Sequence, residues 1–306
     1  MDAAAPSSLR FGVISTGRGE AARAAWLRFL DAVGRRCGQA IEPCFPDSYA
    51  QARDQLVAGA LHCAWLSCRA ALDAIDGCDC AVFAQMVDAR GSSGYRGLLI
   101  GLAGRPPQTL DELVHGPGRF RLALGESAST SGYLMPMLGL FGPRRIDPQR
   151  HFLAVRQGTH RQCLQALVDG EVDVAAYNTE EWQALRVADP GLHARLAMLW
   201  QGAVQIPKDP LLWRLDLPQP LRVRLAEAVI GYGDDADERR TLVEMFDLAP
   251  FQPAANAMLR PILDYAHYRE SLALLNDPRG PSEARTQALA QLNARYERLA
   301  AKLGAA

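Results

Sequence analysis

The sequence predicts an α/β protein of two lobes, with a hinge of two crossing strands and a C-terminal helical segment. Three observations predict it. Residues 9–14 alternate as in a strand, and Ala22, Trp26, Phe29, Leu30 and Val33 then follow at helical spacing. A later stretch resembles an earlier one: Leu56-Val57-Ala58-Gly59-Ala60-Leu61-His62-Cys63-Ala64 and Leu167-Val168-Asp169-Gly170-Glu171-Val172-Asp173-Val174-Ala175 share Leu-Val-x-Gly and an Ala further on. Finally, 306 residues suffice for two lobes, each with its own core.

The elements follow in order. A helix near 49–57 runs through Gly59 into a strand at 61–65, and a helix near 161–168 runs through Gly170 into a strand at 172–176. Each strand ends where open α/β sheets place their ligands, so a cleft between lobes is expected. The extended runs 95–101 and 210–214 are the candidate crossings of a hinge. These boundaries give one lobe as 8–97 with 212–306 and the other as 98–211. After Leu221 a helical region is expected, interrupted at Pro250, Pro253 and Pro261. In the last helix, from about Ser282, Leu289, Leu292, Tyr296, Leu299 and Leu303 form a seam for the body of the protein or for a homodimer. Fewer than three heptads favour the body.

Composition excludes several classes. With 33 Lys and Arg against 34 Asp and Glu the net charge is −1, which argues against a nucleic-acid partner. No run of 18 apolar residues is present, so no membrane-spanning helix is expected. The first residues show neither a basic nor an apolar leader region, which fits a cytoplasmic chain or one whose leader has been removed. Seven cysteines lack the paired Cys-x-x-Cys spacing of a zinc site. Cys63 and Cys163 read as buried thiols, Cys37 and Cys44 as a disulfide only in an oxidising compartment, and Cys78 and Cys80 as too close for an ordinary one.

Chemistry concentrates at Ser129-Thr130-Ser131-Gly132, which follows the apolar run Arg121-Leu122-Ala123-Leu124-Gly125. A helix starting there offers unpaired N–H groups, positive dipole charge and three hydroxyls, a cradle for phosphate-like oxygens. Taken alone, it is also an ordinary N-cap. His160 opens a predicted helix after Gly158-Thr159 and can donate to the same oxyanion. Glu180 and Asp209 lie near a strand end and a crossing. Carboxylates repel an anion unless a cation lies between, so they suggest a zwitterionic ligand with an ammonium group, and Tyr95 offers a hydroxyl or a ring face to it. No catalytic residues are assigned. Gly125-Glu126-Ser127-Ala128-Ser129 lacks the second Gly of a nucleophile elbow, the cluster lacks the Lys of a phosphate loop, and no His-Glu-x-x-His occurs. No metal and no cofactor are expected.

With these residues in place the chain resembles the periplasmic phosphonate-binding proteins of ABC transporters, within the wider phosphate, phosphite and phosphonate substrate-binding family. The resemblance runs from Phe11-Gly12-Val13-Ile14-Ser15-Thr16 to the last helix. It is carried by Val82-Phe83-Ala84-Gln85, Gly94-Tyr95, Ser129-Thr130-Ser131-Gly132, Val172-Asp173-Val174-Ala175, Asn178-Thr179-Glu180, Ile206-Pro207-Lys208-Asp209-Pro210 with Trp213-Arg214, and Ala249-Pro250-Phe251. It implies a type II periplasmic-binding-protein fold that captures a small phosphonate and delivers it to a membrane permease, with no chemistry on the ligand. Ser129, Thr130, Ser131 and His160 would hold the phosphonate oxygens, and Tyr95, Glu180 and Asp209 the amino group of a ligand such as 2-aminoethylphosphonate. Two positions depart from the family pattern. Trp65-Leu66 stands where Trp-Tyr is usual, which places Leu66 at the ligand's amino end, and Lys208 stands where Gly is usual, where its ammonium could partly neutralise the acidic pair. Phosphite, phosphate or another phosphonate remain alternative cargoes, and an enzyme acting on a small phosphorylated compound is a more distant one.

Overall fold

The computed structural model describes residues 6–14, 19–89, 91–92, 94–276 and 282–304. Ser15 and Thr16 of the resemblance lie outside the described residues. Strands run at Leu9–Gly12 (β1), Ile41–Cys44 (β2), Cys63–Trp65 (β3), Cys80–Asp88 (β4), Gly94–Tyr95 (β5), Gly97–Leu102 (β6), Arg121–Gly125 (β7), Ala154–Gly158 (β8), Val174–Asn178 (β9), Leu196–Gln201 (β10), Ile206–Pro207 (β11), Pro210–Arg214 (β12) and Leu248–Pro253 (β13). Helices occupy Gly19–Cys37 (α1), Tyr49–Val57 (α2), Cys68–Gly77 (α3), Leu110–Val114 (α4), Pro148–His151 (α5), His160–Val168 (α6), Thr179–Ala188 (α7), Pro190–Ala194 (α8), Gln219–Ile230 (α9), Ala236–Phe246 (α10), Arg260–Leu275 (α11) and Ser282–Gly304 (α12). A further helical stretch, 130–144, is wound largely in wide π turns.

Contacts divide the chain into two units. The first comprises Met1–Gly94, Pro207–Arg260 and Arg298–Ala306, the second Tyr95–Ile206 and Pro261–Glu297. The expected lobes, 8–97 with 212–306 and 98–211, differ from these mainly in 261–297. That segment groups with the second unit because α11 packs there. Leu272 and Ala273 share a groove with Leu138 and Ile146, and the Tyr265 hydroxyl sits where a Cβ on Gly139 would come within 2.9 Å.

Each unit holds its own sheet. In the first the order is β13-β4-β12-β3-β1-β2, with β1 parallel to β2 and β3 and with β12 antiparallel to β3 and β4. In the second it is β10-β6-β9-β7-β8, with β7 parallel to β8 and β9 and with β6 antiparallel to β9 and β10. Three parallel strands flanked by antiparallel ones recur, and the resemblance between 56–64 and 167–175 is the sequence trace of that recurrence. Gly59 and Gly170 close α2 and α6 with left-handed φ of 76° and 73°, and each amide donates at 3.2 Å to the leucine three residues earlier. Glycine adopts that conformation at no steric cost.

The period of two along the second sheet places its core on both faces. Leu99, Leu122, Leu124, Val174 and Ala176 pack with Phe141 and Phe152 on one side, and Leu98, Ile100, Ala123, Ala175 and Tyr177 pack with Leu167 and Cys163 on the other. In the first unit α1 buries Ala22, Trp26, Phe29, Leu30 and Val33, the helical stripe expected for it. The helical region expected after Leu221 contains a strand instead. β13 carries Pro250 and Pro253 and lies at a sheet edge, where a missing amide N–H costs no ladder bond on the open side. The leucine seam of α12 is used within the chain: Leu299 and Leu303 are buried, and the Tyr296 hydroxyl donates to Asp264 at 2.9 Å. All seven cysteines are free thiols, Cys37 and Cys44 included.

Candidate functional site

In the second unit the carboxyl ends of the three parallel strands β8, β7 and β9 each run into the start of a helical segment. β7 leads through Glu126 to Ser129, β8 to Thr159 and His160, and β9 to Asn178, Thr179 and Glu180. Their caps are formed by side chains. Ser129 Oγ accepts from the Gly132 amide at 3.1 Å, Thr159 Oγ from the Gln162 amide at 3.3 Å, and Asn178 Oδ1 from the Glu181 amide at 2.8 Å. The Ser129 hydroxyl proton is left as a donor. Each helix start adds its dipole, so the parallel edge of this sheet is electropositive before any charged side chain is counted.

The Ser-Thr-Ser turn is held against the strand by glycines. A Cβ on Gly132 would lie 3.0 Å from Gly125 Cα, His160 Cε1 and Ser129 Oγ, and one on Gly97 would lie 2.7 Å from the Ser131 carbonyl oxygen. Backbone approaches this close admit no side chain. Ser129, Thr130 and Ser131 are all buried. The turn opens in π geometry, with the Leu134 amide donating to the Ser129 carbonyl at 3.0 Å, a winding that recurs at functional sites.

Ser131 Oγ lies 3.0 Å from His160 Nε2, so the two residues singled out for one anion do meet. His160 Nδ1 lies 3.4 Å from the Ala176 carbonyl, which only accepts. This assigns the proton of the neutral ring to Nδ1 and makes Nε2 the acceptor of the Ser131 hydroxyl. Burial pushes the His160 pKa down, and the Glu181 charge and the Ala176 carbonyl partly oppose it. Tyr177 meets the His160 ring edge to face at 5.9 Å and limits its rotation.

The same edge gathers two of the residues expected at a ligand's amino end. Arg96 and Thr179 are joined by two bonds, the Thr179 amide to the Arg96 carbonyl at 3.0 Å and the Arg96 amide to the Thr179 Oγ1 hydroxyl at 3.1 Å. That exchange sets Tyr95, which is buried, and Glu180, which is half-buried, on adjoining segments. Asp209 belongs to the first unit, half-buried, with its carbonyl accepting from the Met86 amide at 3.1 Å. Leu66 is there too, its amide donating to the Pro210 carbonyl at 3.2 Å, but it has no exposed surface and is a core residue.

Lys208 is placed differently from its expected role. It is buried, and its ammonium donates to Asp88 Oδ2 at 3.0 Å, so a carboxylate of the adjacent strand holds the charge that the sequence offered to Glu180 and Asp209. Asp88 also accepts from the Ser92 amide at 2.9 Å. Two contributors escape sequence reading. Glu181 biases His160, and only its place three residues after the Asn178 cap signals it. Asp88 is an acid at the end of an apolar strand, which would have marked it as paired.

Comparison with known proteins follows this geometry. The family model for periplasmic phosphonate substrate-binding proteins of ABC transporters matches residues 11–259. The phosphonates-binding periplasmic protein of Escherichia coli strain K12 is 29% identical over 263 residues, 86% of this chain and 77% of that one. The structure of a binding-protein component of an ABC phosphonate transporter from Pseudomonas aeruginosa matches with a TM-score of 0.88 at 26% identity, over 97% of this chain and 98% of that one. A Prochlorococcus marinus protein solved with methylphosphonate shares the fold at a TM-score of 0.75 and 17% identity, over 86% and 98% of the two chains.

Proposed function

Because the chain belongs to the periplasmic phosphonate substrate-binding proteins of ABC transporters, we propose that its cargo is a small aminophosphonate, with 2-aminoethylphosphonate as the reference member. Its α/β fold of two sheets is that of periplasmic binding proteins, and the family partners are a small ligand and a membrane permease. Among the described residues no helix is long and apolar enough to cross a membrane.

The observation that carries the reading is the Ser131–His160 couple at the shared edge of three strand ends. Ser129, Thr130, Ser131 and His160 take the phosphonate oxygens. Glu180 and Tyr95, from the same unit, take the ammonium group. Replacing the ammonium with an uncharged alkyl tail removes one partner of that charge pair, at a cost of roughly 2–5 kcal/mol, or about 30-fold to several thousandfold in affinity.

Calorimetry on refolded, ligand-stripped protein tests this. 2-Aminoethylphosphonate should bind at least about 30-fold tighter than ethylphosphonate. Glu180→Gln should remove that preference while leaving ethylphosphonate unchanged or improved. Equal affinity for both ligands and phosphate would move the cargo to a phosphonate without an amine, or to phosphate or phosphite.

One observation favours a second reading. A serine hydroxyl on a histidine nitrogen is also the beginning of a hydrolytic triad. Here the far side of the ring meets the Ala176 carbonyl where a triad needs a carboxylate to stabilise the imidazolium. Product formation from a phosphonate or phosphate ester, lost in His160→Ala, would establish the enzyme. Binding lost without any product supports the transport reading.

A further inference from the structure

Cys78 and Cys80 sit where α3 passes into β4, at the opposite end of that strand from Asp88 and its partner Lys208. Cys78 follows the helix in extended conformation, and the Cys80 amide donates to the Cys78 carbonyl at 3.1 Å, closing a three-residue turn around Asp79. Such a turn draws its flanking Cα atoms closer than the roughly 6.6 Å of two extended steps. That lies inside the about 4.4–6.8 Å that a disulfide bridges.

Each of the two thiols shifts the ionisation of the other. They differ in access, since Cys80 is buried and Cys78 is half-buried beside the exposed Asp79. They differ in charge as well. The adjacent Cys80 thiol and the neighbouring Arg214 and Lys302 charges push the Cys78 thiol down against burial, and Cys78 together with burial pushes Cys80 up. Burial pushes Cys37, Cys44, Cys63 and Cys163 up, which makes them poor nucleophiles.

We propose that Cys78 and Cys80 form a thiol–disulfide redox pair, with Cys78 as the attacking and Cys80 as the resolving sulfur, oxidised by molecules of the disulfide class. The Cys78 thiolate attacks one sulfur of a disulfide RSSR and expels RS⁻, leaving a mixed disulfide. Cys80 then loses its proton to RS⁻ or water and attacks Cys78 Sγ, expelling the second thiolate. Two protein thiols become one disulfide, and RSSR becomes two RSH. A reactive thiol beside a resolving partner is the arrangement found in redox-responsive proteins, and an oxidising compartment supplies such reagents.

The test uses the full native chain with oxidised glutathione, quenched with acid and read by intact mass and peptide mapping. The wild type should lose the mass of two hydrogens, carry no adduct, and yield a peptide containing Cys78 and Cys80 that resists alkylation. Cys80→Ser should trap one glutathionyl group on Cys78, and Cys78→Ser should leave Cys80 unmodified. Should either variant fail to fold, the wild type decides alone: iodoacetamide should label Cys78 at least about tenfold faster than Cys44. A stable glutathionyl adduct on the wild type, first reaction at another cysteine, or equal labelling of Cys78 and Cys44 would overturn the proposal.

Discussion

Gly132→Ala tests the proposed anion cradle without removing any polar group from it. The added Cβ would stand 3.0 Å from Gly125 Cα, His160 Cε1 and Ser129 Oγ, while ordinary contacts begin near 3.4 Å. His160 and Ser129 can each give a few tenths of an ångström, but Gly125 Cα is strand backbone, paired with Gly158 of β8. The turn must therefore move away from β7. Overpacking of this kind costs about 1–3 kcal/mol, and a unit of this size loses about 2–4 °C in Tm per kcal/mol. Binding should suffer more than stability. Displacing the turn misaims the Ser129 and Ser131 donors, and hydrogen bonds to a charged ligand contribute about 1.5–3 kcal/mol each. Loss of both predicts a Kd weaker by about two to four powers of ten. Calorimetry with 2-aminoethylphosphonate and a thermal melt of the same preparation read the two effects. A variant that binds within threefold of wild type refutes the assignment of this turn to the ligand, whatever its Tm.

Four further outcomes follow from the geometry. Asp88→Asn leaves the buried Lys208 ammonium without that carboxylate and should cost about 3–5 kcal/mol in chemical denaturation, while Asp88→Leu combined with Lys208→Met should restore most of it. Because burial holds the folded His160 below the ordinary value of 6.5, the unfolded chain takes up more protons as pH falls through that value. His160 therefore lowers stability below about pH 6.5, and His160→Gln should flatten that limb of the pH–stability curve. A bound oxyanion reverses the preference, so binding near pH 7 should draw protons from the buffer, seen as a binding enthalpy that depends on buffer ionisation heat and disappears in His160→Gln. Gly170→Ala forces a Cβ into left-handed backbone and should lower stability by about 1–2 kcal/mol with no change in ligand affinity.

What the sequence exposes depends on how locally each feature is encoded. The α1 stripe and the Leu-Val-x-Gly helix exits are written in spacing and in the one residue type that tolerates positive φ, so they read directly. The cradle is legible for the same reason, since hydroxyls, a cap and a strand end are contiguous. β13 is not, because proline argues against a strand and only the sheet order shows that 248–253 lies at an edge. The partner of Lys208 is not legible either. Asp88 is far away in sequence and the pairing exists only once β4 and the segment after β11 are neighbours. The place of 261–297 escapes for a similar reason, since an amphipathic helix states that it packs and not on what.

The recurrence also shows where the two units part in chemistry. β1 pairs with β3 as β7 pairs with β9, Phe11 standing opposite Cys63 as Leu122 stands opposite Val174, the same separation in the chain. Extending that correspondence aligns four N-caps, Ser48 with Thr159 and Ser67 with Asn178, each accepting from a backbone amide three residues on. The scaffold of capped strand ends is thus common to both units, and caps alone cannot explain a site on one of them. The residues just past the caps do differ. His160 corresponds to Tyr49, and Glu180 to Arg69, whose guanidinium bonds Asp73 at 3.1 Å. A titratable donor beside a hydroxyl cluster and a carboxylate beside a tyrosine stand on the second unit, while a phenol and an arginine tied to its own helix stand at the matching places on the first. Under the proposed function, the candidate anion-binding and ammonium-binding residues of the second unit lie along a single sheet edge, and substitutions in that unit should govern selectivity.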